Sequence, residues 1–210
     1  SLDAGDIHYE SDGMQANLNQ LSVQEQSGFS IRSFKGRIKV SEKRATIEDL
    51  LLLTGNSKLE LQADATFESI EDIGHNYATA RVTGDVNEST INLRDVGYFN
   101  PHITDSLPLT LSPDTDLQID AAVAGSINDL KIQHLVFQTL GNTYLKTSGT
   151  ISGLGETGQL QMNLVLDKFY TTRADLETIL PDTLLPDSLH LPDWMNLQAR
   201  YTGTLQKADF

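Results

Sequence analysis

The sequence predicts an all-β fold: an elongated, curled antiparallel sheet of stacked hairpin repeats, with one short helix near 171–180. Three observations predict it. Apolar and polar residues alternate over many short runs, turn signals separate those runs, and helical periodicity is confined to one convincing segment.

The alternation comes first. Leu59, Leu61, Ala63, Ala65 and Phe67 interleave with Lys58, Glu60, Gln62, Asp64 and Thr66. This period of two gives a strand with one dry and one wet face. The pattern recurs at Met14, Ala16 and Leu18, at Leu117, Ile119, Ala121 and Val123, and within "QLQMNLVLDKF". Turn signals follow: "SDG" at 11–13, "TGNS" at 54–57, "LGNT" at 140–143 and "SGLGETG" at 152–158. Gly, Asn and Ser supply the left-handed or side-chain-closed backbone that such turns need. These spacings leave room for about a dozen strands.

Helical signals are sparse. "TTRADLETIL" (171–180) offers Thr172 as an N-cap, acids in its first turns and Pro181 as a stop. A helical turn is expected near Tyr98–Pro101. "PDTLLPDSLHLPDW" carries three prolines and no steady period, so it is expected to be an extended crossing segment or an edge strand, part of a linker-like stretch over 171–195.

The totals set limits. The 210 residues can bury a core without staples. Cys is absent, which removes disulfides and thiol-based metal or nucleophile chemistry. The net charge is -14, a field that repels phosphate backbones, so nucleic acid is not expected as a partner. No apolar run approaches the roughly 18 residues of a spanning helix. The chain opens on Ser1 and stops in mid-pattern at "TLQKADF". It is therefore expected to be one elongated β-repeat region, 1–210, from within a longer protein.

A repeat runs through it. "TIEDLLLLTGNSKLELQADAT" (46–66) aligns with "KIQHLVFQTLGNTYLKTSGT" (131–150). Ile47 falls on Ile132, Leu50 on Leu135, Leu52 on Phe137, and, after one inserted residue, Gly55-Asn56 falls on Gly141-Asn142 and Leu59 on Leu145. A Gly lies upstream in each unit, Gly36 and Gly125, and Gly203 marks a third start. The repeat-like units span about 36–67 and 125–151, and such units stack on their neighbours to complete burial. The Leu50–Leu53 run is expected where a strand is covered on both faces, and its partner after the turn where one face is covered. With few helices to cover a long sheet, that sheet must fold over itself or leave an apolar trough, and a large bare apolar surface marks a binding site.

Reactive chemistry is not indicated. His8, His75, His102, His134 and His190 form no HExxH or close pair, so neither a zinc site nor any other metal or cofactor is expected. His134 is expected to have a structural or surface role. "PDTD" (113–116) reads as a polar turn, and Ser27-Gly28 and Ser152-Gly153 lack a nucleophile-elbow context. Trp194 is expected to pack the crossing segment. No enzyme activity is expected.

"LSVQEQSGFSIRSFKGRIKVSEKRATIEDLLLLTGNSKLEL" and "VAGSINDLKIQHLVFQTLGNTYLKTSGTISGL" resemble the AsmA-like region of TamB-type translocation and assembly proteins. "TTRADLETILPDTLLPDSLHLPDWMNLQARYTGTL" resembles that family's inter-repeat segment. The resemblance implies a β-taco body with an apolar groove, in the periplasm of a Gram-negative envelope. It implies an inner-membrane anchor outside this stretch, and a role in lipid movement and outer-membrane protein assembly. The expected partners are phospholipid acyl chains and outer-membrane assembly proteins. On that reading the groove residues are Leu50, Leu52, Leu59, Leu61 and Phe67 in the first unit. In the second they are Leu135, Phe137 and Leu145, followed by Leu160, Met162, Leu164 and Leu166. The other class of function considered is a structural or adhesive β-repeat with a closed core and protein partners.

Overall fold

The computed structural model describes residues 2–10, 13–25, 28–71, 77–99, 111–154, 159–180 and 191–206. Eleven strands form one antiparallel sheet in which spatial order is chain order. The strands are β1 (Leu2–Glu10), β2 (Gly13–Gln24), β3 (Ser30–Ser41), β4 (Arg44–Thr54), β5 (Lys58–Thr66) and β6 (Arg81–Asn92). They continue as β7 (Asp116–Ser126), β8 (Asp129–Thr139), β9 (Thr143–Ser152), β10 (Gln159–Thr172) and β11 (Trp194–Gln206). Two short helices follow even strands: α1 (Leu93–Phe99) after β6 and α2 (Arg173–Ile179) after β10. The expected helix is therefore present, with Thr172 at its N-cap accepting from the Asp175 amide. The turn expected near Tyr98 is the end of a longer helix that begins at Leu93. Residues 181–190 of the crossing segment, with His75, His102 and His190, lie outside the described residues.

The sheet curls but does not close. Its surface is 13,517 Å², against about 9,700 Å² for a compact folded chain of 23.1 kDa. Fully buried apolar side chains are correspondingly few: among the described residues Phe29, Leu50, Leu93, Ile132 and Leu176 are the larger ones.

The curl has a local cause. At a matching position near mid-strand each even strand inserts one residue more than the odd strands beside it, while β1 at Gly5-Asp6 and β3 at Arg32-Ser33 carry an extra residue of their own elsewhere. Asn19 and Gln20 of β2 stand against Lys35. Glu48 and Asp49 of β4 stand against Gln62, and Asn87 and Glu88 of β6 against Asp120. Gln133 and His134 of β8 face Ser148, and Asp167 and Lys168 of β10 face Gln198. Such bulges bend the strand and tighten its twist. Aligned strand after strand, they form a crease across the whole sheet. Asp49 (φ 51) and Glu88 (φ 35) take up the left-handed backbone there.

Elsewhere glycine permits close approach. A Cβ on Gly149 would lie 2.1 Å from the Asn163 carbonyl oxygen, and its φ is +145. Gly149→Ala is expected to cost about 2 kcal/mol from backbone strain alone, read as a lower urea midpoint with an unchanged slope.

The repeat alignment holds at the crease. Ile47 and Ile132 are the last residues on their face before the bulge, and Leu50 and Leu135 the first after it. Gly36 does not correspond to Gly125 and Gly203. It sits in the crease, its missing Cβ 3.1 Å from Leu50 Cα, whereas the other two lie well beyond the crease positions Asp120 and Gln198. The double cover expected for Leu50–Leu53 also needs correction. Leu51 and Leu53 lie on the polar face between Lys35, Glu60 and Lys58. Both are half-buried there, beside charged neighbours whose aliphatic stems are able to cover apolar surface.

Candidate functional site

Residues paired directly across antiparallel strands project to the same side. The registers therefore sort every strand residue onto one of two faces. One cross-sheet row runs Leu50–Leu61–Val86–Ala121 and continues through Leu135, Thr147, Leu166 and Ala199. A parallel row runs Ile38–Ile47–Ala63–Gly84 and continues through Val123, Ile132, Gly149 and Leu164 to Tyr201. A third holds Ile119, Phe137, Leu145, Phe169 and Leu197. Followed from β2 to β11, this face carries no Asp, Glu, Lys, Arg or His among the described residues. The charged strand residues, such as Lys39, Glu48, Asp64, Asp85, Lys131 and Arg200, all lie on the opposite face.

From β3 to β10 the charge-free face is also the more sheltered one, whereas Met14 and Val23 of β2 and Leu197 and Tyr201 of β11 are exposed on it. On β6, Val82, Gly84 and Val86 are half-buried while Arg81, Thr83 and Asp85 are exposed. No second layer packs on it among the described residues: each strand packs chiefly on its sequence neighbours, and α1 and α2 pack on their own preceding strands and reach back to one turn each. Of the expected groove residues, Leu50, Leu52, Leu59 and Leu61 share this face. So do Leu135, Phe137 and Leu145, and Leu160, Met162, Leu164 and Leu166. Phe67 is the exception; it lies one residue beyond β5, its amide bonded to the Lys43 carbonyl.

One end of this face is polar and closed by two equivalent clasps that sequence reasoning missed. Asp95 of α1 is 5% exposed. It accepts hydrogen bonds from Ser57 Oγ at 2.6 Å, Asn56 Nδ2 at 3.1 Å, and Thr54 Oγ1. The helix after β6 is thereby tied to the β4–β5 turn. Burial raises the carboxyl pKa, but the hydrogen bonds from Ser57, Thr54 and Asn56 outweigh that and hold it below the ordinary aspartate value. Asp175 of α2 repeats the device on the β8–β9 turn, accepting from Thr143 Oγ1 at 2.8 Å, with Thr171 Oγ1 a further 2.9 Å from Thr143 Oγ1. A readable signal existed: Asn92-x-x-Asp95 and Thr172-x-x-Asp175 share cap-to-third-position spacing.

Among the described residues the polar face brings together no reactive constellation. His134 Nε2 lies 2.8 Å from Asp120 Oδ1 at the crease, the surface role expected. A depression lined by Arg44, Glu48, Asp49, Asp64 and Asp85 is a gap between long side chains, open to water. Among the described residues no three His, Asp or Glu are placed to hold a metal ion, and no helix is long and apolar enough to cross a membrane. No family model, curated protein or solved structure matches the chain.

Proposed function

We propose that the charge-free face is a trough that shelters lipid acyl chains. The protein would then be a segment of an envelope lipid-transport or outer-membrane assembly factor working in the periplasm, anchored in the inner membrane by a segment outside this stretch. The observation that carries the reading is the segregation of charge: ten consecutive strands present one uncharged face, half-covered from β3 to β10, with no second layer over it among the described residues. A surface of this kind and extent is a liability unless something apolar occupies it. Each methylene withdrawn from water contributes about 0.8 kcal/mol, so about ten methylenes half-covered would gain roughly 4 kcal/mol. Selectivity would come from the hydrocarbon, because the face has, among the described residues, no cation to grip a phosphate. The role is passive and no reaction is proposed. The sequence resemblance to TamB-type proteins points the same way. A closed-core structural repeat, the other class considered, needs a second layer that the described residues do not supply.

Native mass spectrometry after gentle purification tests this. Adducts at phospholipid masses, lost on delipidation and regained from vesicles, are the expected result. A clean protein mass that vesicles do not change would overturn the reading.

A further inference from the structure

β11 is a long edge strand without the usual defences. It has thirteen residues, contains neither Pro nor Lys, and carries Arg200 as its single charge. Trp194 is 61% exposed, Leu197 47% and Tyr201 42%. Among the described residues its one neighbour is β10; Trp194 opens this edge strand, contrary to the packed position expected. An exposed edge of this length and composition is a template for another strand.

The crease says which kind of strand fits. β3, β5, β7 and β9 each lie between two strands that carry the extra crease residue. β5, for example, meets Glu48 and Asp49 at Gln62 on one side, and Glu88 and Ser89 at Leu59 on the other. β11 meets its bulged neighbour on one side only, with Asp167 and Lys168 against Gln198. We infer that the open edge of β11 binds an antiparallel partner strand of the even type. That strand has apolar residues at alternate positions, on the side of Leu197 and Tyr201, and one extra polar residue opposite Gln198. An unbulged strand would continue flat where β10 bends, so its apolar set would leave the shared face beyond the crease. Of the edges that a second copy of this chain presents, β11 is an unbulged odd strand, and β1 sets its own extra residue, with Gly5 and Asp6 against Asn17, away from the crease, so each fits poorly. The inference does not rest on the lipid reading.

Synthetic peptides test it on the intact protein. The β4 sequence Arg44–Thr54 is the probe. Controls are the same peptide lacking Asp49 and the β5 sequence Lys58–Thr66. Trp194 is the only tryptophan, so its emission reports the edge. The β4 peptide is expected to shift that emission to the blue and to protect β11 amides from hydrogen exchange. Removing Asp49 should weaken binding at least tenfold, and the β5 peptide should bind no better than that. Equal affinity with and without Asp49 would overturn the inference, as would protection that spares β11. A concentration-dependent dimer that protects β11 without peptide would overturn it too, since the occupant would be a second copy.

Discussion

Asp95→Ala should lower stability by about 3 kcal/mol, because it strands the buried Ser57 hydroxyl and the Asn56 amide without their acceptor and leaves Thr54 Oγ1 only the Ser57 carbonyl at 3.3 Å. For a chain of this size that corresponds to a melting temperature about 6–12 °C lower. Asp175→Ala removes one direct hydroxyl contact and should cost about half as much. The pH dependence separates lost charge from lost shape. The Asp95 carboxyl is held below its ordinary value of 3.8. A group whose folded pKa is depressed stabilises the fold above its unfolded pKa, and that contribution fades as pH falls through the folded value. The gap between wild type and Asp95→Asn should therefore be full at neutral pH and close below about pH 4. A gap that is constant from neutral to acid pH would show that the ionised carboxylate is not what holds the turn.

Leu61→Asp should leave the sheet folded and remove most of its lipid binding. Leu61 is half-buried and sits in the crease-side row between Leu50 and Val86. A carboxylate there can reach water because no second layer among the described residues covers it, so the lost burial should cost about 1–2 kcal/mol. In a sealed core an unpaired charge would cost several kcal/mol and endanger a domain of ordinary stability. The same charge would lie in the path of the hydrocarbon. Melting curves paired with photo-crosslinking from position 61 distinguish the cases. A folded variant with at least tenfold less bound lipid, and wild-type crosslinks to phospholipid, are expected. Unfolding of the variant together with no crosslink at position 61 would leave the closed-core repeat as the better reading.

Much of this architecture is written in the alternation. Strict period two located β5, β7 and β10, and the aligned Ile47–Leu50 and Ile132–Leu135 pairs fell on equivalent positions. They did so because each pair brackets a bulge. That bracket was itself a signal: the apolar step lengthens from two to three at Leu18–Leu21, Ile47–Leu50, Ile132–Leu135 and Leu166–Phe169. Read locally, each looks like a lapse in the pattern; across four strands it is a rule. Gly36 misled because a glycine needed for close approach at the crease looks, in sequence, like one needed elsewhere. The four leucines of Leu50–Leu53 suggested two dry faces, since sequence cannot show that Lys35 and Lys58 will lay their stems beside Leu51 and Leu53. Thr172 was legible as a cap because capping is local. The clasps at Asp95 and Asp175 were not, because each joins a helix to a turn two strands back.

That spatial order equals chain order has a thermodynamic meaning. Among the described residues each inner strand depends chiefly on the strand before it and the strand after it, and the Asp95 and Asp175 clasps reach only two strands back. Stability then accumulates as a series of neighbour terms, as in a zipper, and not as one indivisible block. Fraying should begin at β1 and β11, where one neighbour term is missing, and move inward with rising free energy of opening. Damage at either margin stays local. Damage at β6, in the middle of the row, divides the sheet into two halves that no longer support each other.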